Sequence, residues 1–133
     1  MRETDAEVEV LRVQGTINAE LDFIEARYAS GQAVFGWEVD DVCRAVVEKA
    51  GYGRQFVHRT GHSIGEDVHW SGVNIDNLET RDDRQLVPGV CFSIEPGIYL
   101  PDEGLGVRTE IDVFLADDGP RVFSKIQREI VKI

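Results

Sequence analysis

Basic residues are scarce in this 133-residue chain: 14 lysines and arginines stand against 25 aspartates and glutamates, a formal net charge of -11. Such a field repels a phosphate backbone, and the few basic residues are scattered among acids without forming a groove, so nucleic acid is excluded as a partner. Only two cysteines are present, Cys43 and Cys91. Both lie in apolar patterns and read as small buried hydrophobes, which excludes a disulfide framework and points to a reducing, cytoplasmic setting. No apolar run is long enough to cross a membrane, and the acidic N-terminus lacks the basic and apolar regions of a secretory leader. There is no internal repeat, linker or low-complexity tract. Hydrophobic residues at 42% still suffice for one core, so residues 1–133 are read as a single domain.

What is present divides into helical and strand-like patterns. Thr4 and Glu7 have the spacing of a capping box ahead of an apolar stripe at Val10, Ile17, Leu21, Ile24 and Tyr28, which predicts a long helix ending near Ser30 and Gly31. Its acids, among them Glu7, Glu9, Glu20, Asp22 and Glu25, are expected on the solvated face. A second helix follows from Val39, Val42, Cys43, Val46, Val47 and Ala50, closed by Gly51. Gly51-Tyr52-Gly53 is no dinucleotide motif, because it follows a helix and has Phe56 at the third glycine position. Ser71 to Arg84 is polar and aperiodic and is expected to cross the surface as a loop. Val90 to Glu95 alternates as a strand up to Pro96-Gly97, and Val107 to Leu115 alternates as another. One or two short strands are expected between Arg121 and Ile133, with Ile130 and Val131 apolar.

All three histidines, His58, His62 and His69, fall in one window, Val57 to His69. Imidazole is a common metal ligand and proton carrier, so gathering every copy there suggests a site. Gly61 and Gly65 bracket His62, where glycine lets backbone approach closely. Further on, Glu95 ends an apolar strand and Glu110 lies within another. Carboxylates in such surroundings cost several kcal/mol unless a cation meets them, either Arg108 or a metal shared with a histidine. A histidine with carboxylates suits manganese, zinc, cobalt or iron, and an oxygen-rich set favours the harder ions.

His58-Arg-Thr-Gly-His62-Ser-Ile-Gly, then Asp67-Val-His69, then Ser93-Ile-Glu95-Pro-Gly-Ile-Tyr99, then Gly106-Val-Arg108-Thr-Glu110 resemble, in order and spacing, the second half of the pita-bread metallopeptidases. Within that family they are most similar to the Xaa-Pro aminopeptidase and Xaa-Pro dipeptidase (prolidase) branch, which the Pro-Gly-Ile-Tyr run favours over methionine aminopeptidases. The resemblance implies an α+β fold: the C-terminal half of a pita-bread domain, with two helices packed on a curved, mostly antiparallel sheet. It implies that His62 and Glu95 are metal ligands, and that Glu110 bridges two divalent ions, commonly manganese, with zinc or cobalt compatible. Glu95 would also be the general base. His58 and His69 match substrate-side histidines, and Arg108 matches an arginine beside the bridging carboxylate, so Glu95, His69 and Arg108 form the expected catalytic set. The implied partner is a peptide with proline at its second position.

Two departures accompany the resemblance. Trp70 stands where the family usually has an acid or a small polar residue after the second histidine. The family's full set of five ligands also includes two aspartates upstream of the first metal histidine, about eleven positions apart in that pattern. None of Asp5, Asp22, Asp40, Asp41 and Asp67 forms such a pair. The chain is therefore expected to be the C-terminal portion of a catalytic domain, with activity and metal retention reduced when it stands alone. Half of a pseudo-symmetric fold leaves apolar surface bare, which makes self-association an expectation. A metal-free pita-bread module that binds peptides or proteins, or a creatinase-like C–N hydrolase, would share the fold. Retention of His62, Glu95 and Glu110 favours the peptidase over the binding module.

Overall fold

A computed structural model describes residues 13–127. The capping box at Thr4 and Glu7, the stripe position Val10, the acid Glu9 and the terminal pair Ile130 and Val131 lie outside the described residues. A π turn, Val13–Ile17, leads into helix α1, Asn18–Ala29. Helix α2 is Gly36–Lys49. Among the described residues six strands follow: β1 Ser63–Ile64, β2 Cys91–Ile94, β3 Gly97–Leu100, β4 Leu105–Arg108, β5 Ile111–Ala116 and β6 Gly119–Val122. They form an antiparallel sheet in the order β1-β2-β5-β6 and a separate hairpin of β3 with β4.

Period-two burial builds the main core. Phe92 and Ile94 of β2 oppose Val113 and Ile111 of β5, and with Leu115 they turn one sheet face toward Ile17, Ile24 and Val39 of the helical segments. A smaller cluster joins Cys43, Val47, Phe56 and Ile98, which ties α2 to the β3–β4 hairpin. Gly51, at φ 90°, closes α2 in the left-handed region as expected. Ala50 is exposed instead of sharing the apolar face, and Cys91 is half-buried.

Two segments differ from their sequence patterns. The run Val107 to Leu115 alternates without interruption, yet it is cut at Thr109-Glu110, because β4 pairs with β3 and β5 pairs with β2. The chain changes sheets there, and the Thr109 amide bonds to the Pro96 carbonyl at the crossing. The polar segment from Ser71 to Arg84 is not wholly a surface loop. Gly61 bridges to Ile75, and Ile75, Asp76 and Asp82 are buried. Asp76 accepts the amides of Leu78, Glu79 and Thr80, so its carboxylate is satisfied by backbone.

Glu20 is a third difference. It is completely buried, and among the described residues neither carboxylate oxygen has a hydrogen-bond partner, because it falls at i+3 from Ile17 and so shares the core stripe. Burial drives its pKa well above the ordinary carboxylate range; the facing Cys43 thiol lowers it somewhat and the Asp40 charge raises it again. An acid whose pKa is raised on folding contributes its full stability below the unfolded pKa and loses it as pH rises toward the folded value. Replacing Glu20 by Met should therefore stabilise the chain by about 1–3 kcal/mol at pH 8 and by less at pH 5. Urea denaturation at the two pH values measures this, and an equal gap at both would show that Glu20 is not titrating in the core.

Candidate metal centre

Strand register explains why distant carboxylates meet. Ile94 and Ile111 are partners at one end of the β2–β5 ladder, so the residues just beyond them, Glu95 and Glu110, emerge close together from that end. Alternation turns both away from the core, on the face that also carries Ser93 and Asp112. His62 is placed by its neighbours: Ser63 pairs with Phe92, the Ser93 amide bonds to the His62 carbonyl, and the Glu95 amide bonds to the Thr60 carbonyl. Gly61 is needed for this approach, since a Cβ there would lie 1.8 Å from the Ser93 carbonyl oxygen. One donor atom from each of His62, Glu95 and Glu110 lies within 4.8 Å of the other two.

His62 is 5% exposed, and its Nδ1 lies 3.0 Å from the Ser63 carbonyl, an oxygen that can only accept. The network therefore places a proton on Nδ1 and leaves Nε2 aimed at Glu95 Oε1, 3.2 Å away. A bare nitrogen and a carboxylate oxygen so close require a proton or a cation between them. Ser93 Oγ accepts from the His62 amide and donates to Glu95 Oε1 at 3.2 Å, which fixes that oxygen. The Glu110 pKa is raised by partial desolvation first, then by the charges of Glu95 and Asp112, while Arg108 and His62 lower it. Excess negative charge beside an imidazole nitrogen is the donor chemistry of a divalent cation site, and these three residues fit one.

Arg108 lies nearest Glu95, at 4.0 Å from Nε to Oε2, and its influence on Glu110 is through space. β4 ends at Arg108 and β5 begins at Ile111, so Glu110 lies in the crossing between them, where the Arg108 charge still reaches it. His69 is exposed, and its ring centroid lies 4.2 Å from that of His62. His58 sits apart from the cluster. Its Nδ1 faces the Arg59 carbonyl at 2.7 Å, so its Nε2 accepts from the Tyr99 hydroxyl at 2.8 Å. The Tyr99 ring lies over Gly97 and Gly106, where a Cβ would come within 2.8 Å of it, so those glycines make room for the ring. Trp70 lies over Gly65 in the same way, half-exposed beside His69.

Sequence reading assigned no role to Asp40, which is fully buried and organises the histidine segment. Its oxygens accept the Thr60 amide and hydroxyl, the Asn77 amide and the Arg44 guanidinium. Arg44 in turn donates to the carbonyls of Phe56 and His58. The signal was available: Asp40 falls on the Cys43–Val47 stripe and precedes Arg44 by one turn.

A histidine and two carboxylates thus converge at the end of an antiparallel sheet backed by two helices, a donor set that fits a divalent cation. Residues 17–117 match the model of metallopeptidase family M24. The Xaa-Pro dipeptidase of Lactobacillus helveticus is 41% identical over 93 residues, 70% of this chain and 24% of that protein. That of Pyrococcus furiosus is 35% identical over 95 residues, 71% of this chain and 26% of that protein. Among solved structures, dipeptidase PepE from Mycobacterium ulcerans superposes with a TM-score of 0.77 at 32% identity, covering 98% of this chain and 32% of that one. The X-Pro aminopeptidase from Thermotoga maritima gives 0.75 at 31%, covering 96% and 33%. The chain belongs to metallopeptidase family M24 and has the pita-bread fold of that family. It spans about a quarter of the length of these curated relatives and about a third of these solved chains.

Proposed function

We propose that this chain is the C-terminal portion of the catalytic domain of an Xaa-Pro peptidase, supplying three of five ligands for two divalent ions, most simply manganese. The observation that carries this is the convergence of His62, Glu95 and Glu110 within 4.8 Å. The relatives named as Xaa-Pro dipeptidases support the substrate, a peptide with proline at its second position. A bound metal pair would supply an acidified water and polarise the scissile carbonyl. His62 Nε2 and one oxygen each from Glu95 and Glu110 would hold the ions. Glu95 is the proton acceptor, its Oε1 oriented by the Ser93 hydroxyl. His69, exposed with its ring 4.2 Å from that of His62, would meet the substrate. His58, bonded to the Tyr99 hydroxyl, would serve the substrate side, and Arg108 balances the charge of Glu95. Val57, Val68 and Phe123 are the most exposed large apolar residues described, and in the isolated chain they favour self-association.

With two carboxylates short of the full set, the purified 133-residue chain should show little or no turnover of an Xaa-Pro dipeptide in manganese. The same chain extended upstream by a segment bearing the two strand-borne aspartates should hydrolyse it. Robust turnover by the short chain would show that the ligand count is wrong. An extended chain that binds two ions yet cleaves neither a dipeptide nor a longer Xaa-Pro peptide would overturn the Xaa-Pro assignment in favour of another pita-bread hydrolase.

A further inference from the structure

His69 presents a structural problem that the metal cluster does not solve. Every residue from Gly65 to Ser71 is exposed, with the Trp70 ring packed back on Gly65, yet the His69 ring lies against that of the buried His62. What fixes the loop is a polar frame at its base. The Trp70 amide donates to the Ser63 carbonyl. Just beyond, Arg84 donates from Nη1 to the Ser71 carbonyl at 2.9 Å and from Nη2 to the Gly72 carbonyl at 2.8 Å. The same guanidinium grips Asp82 through Nε and Nη2, at 2.9 and 2.6 Å. Asp82 also accepts the Asn74 amide at 2.7 Å, and Asn74 Oδ1 accepts the Ser63 amide next to His62.

The frame thus clamps both ends of the segment that separates the two histidines. Gly72 lets it close, since a Cβ there would lie 2.5 Å from Ser63 Oγ. Burial would raise the pKa of Asp82, but the Arg84 side chain and the amides of Asn74 and Arg84 outweigh it and hold the carboxyl below the ordinary range. The clamp is therefore charged and charge-assisted at neutral pH.

We propose that Arg84, oriented by Asp82 and Asn74, is a positioning residue that holds His69 against His62. Its relevance to substrate rests on the peptidase reading given above; the geometry itself does not. Only a guanidinium can reach two carbonyls and both oxygens of one carboxylate together, because its donors form a planar fork, whereas lysine offers a single charged point.

The chain has three histidines, so their ring-proton signals can be followed one by one by NMR in the 133-residue protein. The wild type should show a cross-peak between the rings of His62 and His69 and another between His58 and Tyr99. In Arg84→Lys the first should be lost and the second kept. Asp82→Asn, which leaves Arg84 in place but removes the charge that orients it, should weaken the first alone. Persistence of the His62–His69 cross-peak in Arg84→Lys would overturn the proposal, as would its absence from the wild type. Loss of both cross-peaks together in Arg84→Lys and Asp82→Asn would also overturn it, since that is what general loosening of the fold produces. No metal or turnover enters this readout, so failure of the peptidase reading leaves the result standing.

Discussion

Glu95→Gln, introduced into a chain extended upstream by a segment bearing two strand-borne aspartates, should abolish Xaa-Pro hydrolysis while leaving the fold unchanged. Gln keeps the size of the side chain and one carbonyl oxygen for the Ser93 hydroxyl, but it has no negative charge to hold an ion and no basic oxygen to take a proton. Loss of a general base alone costs about 10²–10⁴-fold, and loss of a ligand adds to it, so the expected fall in kcat is at least about 10³-fold. His69→Ala should behave differently, raising KM more than it lowers kcat, because His69 touches His62 by ring contact and lies outside the three-residue donor cluster. Steady-state kinetics on the two variants separates them. Near-normal kcat in Glu95→Gln would remove Glu95 from the role of base.

Asp40→Ala should be the most damaging change to the fold. The substitution leaves the largely buried Arg44 guanidinium without its carboxylate and the amides of Thr60 and Asn77 without acceptors, beside a fully buried Thr60. Breaking a buried ion pair on one side costs about 3–5 kcal/mol. Against a total stability of about 5–15 kcal/mol for a domain, that leaves a large unfolded fraction. The segment from Phe56 to His62 should loosen first, since Asp40 and Arg44 hold three of its backbone groups. Urea unfolding with amide exchange of residues 56–62 provides the check, and a loss below about 1 kcal/mol would contradict the role assigned to Asp40.

Much of this molecule was legible in its sequence. The α2 stripe of Val39, Cys43 and Val47, the glycine at its end and the alternation from Val90 to Glu95 all describe local periodicity, and the structure follows them; the strand Gly97–Leu100 had no such signal. The four motifs pointed to the family, and the histidine window with Glu95 and Glu110 contained the residues that meet in space. What was not legible depended on partners distant in sequence. The alternation through Thr109 and Glu110 looks continuous, and only the pairing of β4 with β3 reveals the break. Glu20 and Asp40 carry charges that argue for solvent, yet their helical positions put both in the interior, one satisfied and one not. The frame of Asn74, Asp82 and Arg84 lies in a stretch whose composition reads as loop, and its role appears only when the carbonyls of Ser71 and Gly72 are seen within its reach.

Manganese binding by the extended chain tests the metal centre most directly. Titration calorimetry should show two ions per polypeptide, and Glu110→Gln, which removes one carboxylate charge from the three-residue cluster, should abolish binding of at least one of them. His62→Ala should weaken the remaining site. Binding that is absent from the extended chain, or that survives unchanged in both variants, would contradict the assignment of His62, Glu95 and Glu110 as metal ligands and leave the His62–Glu95 contact as an ordinary buried ion pair.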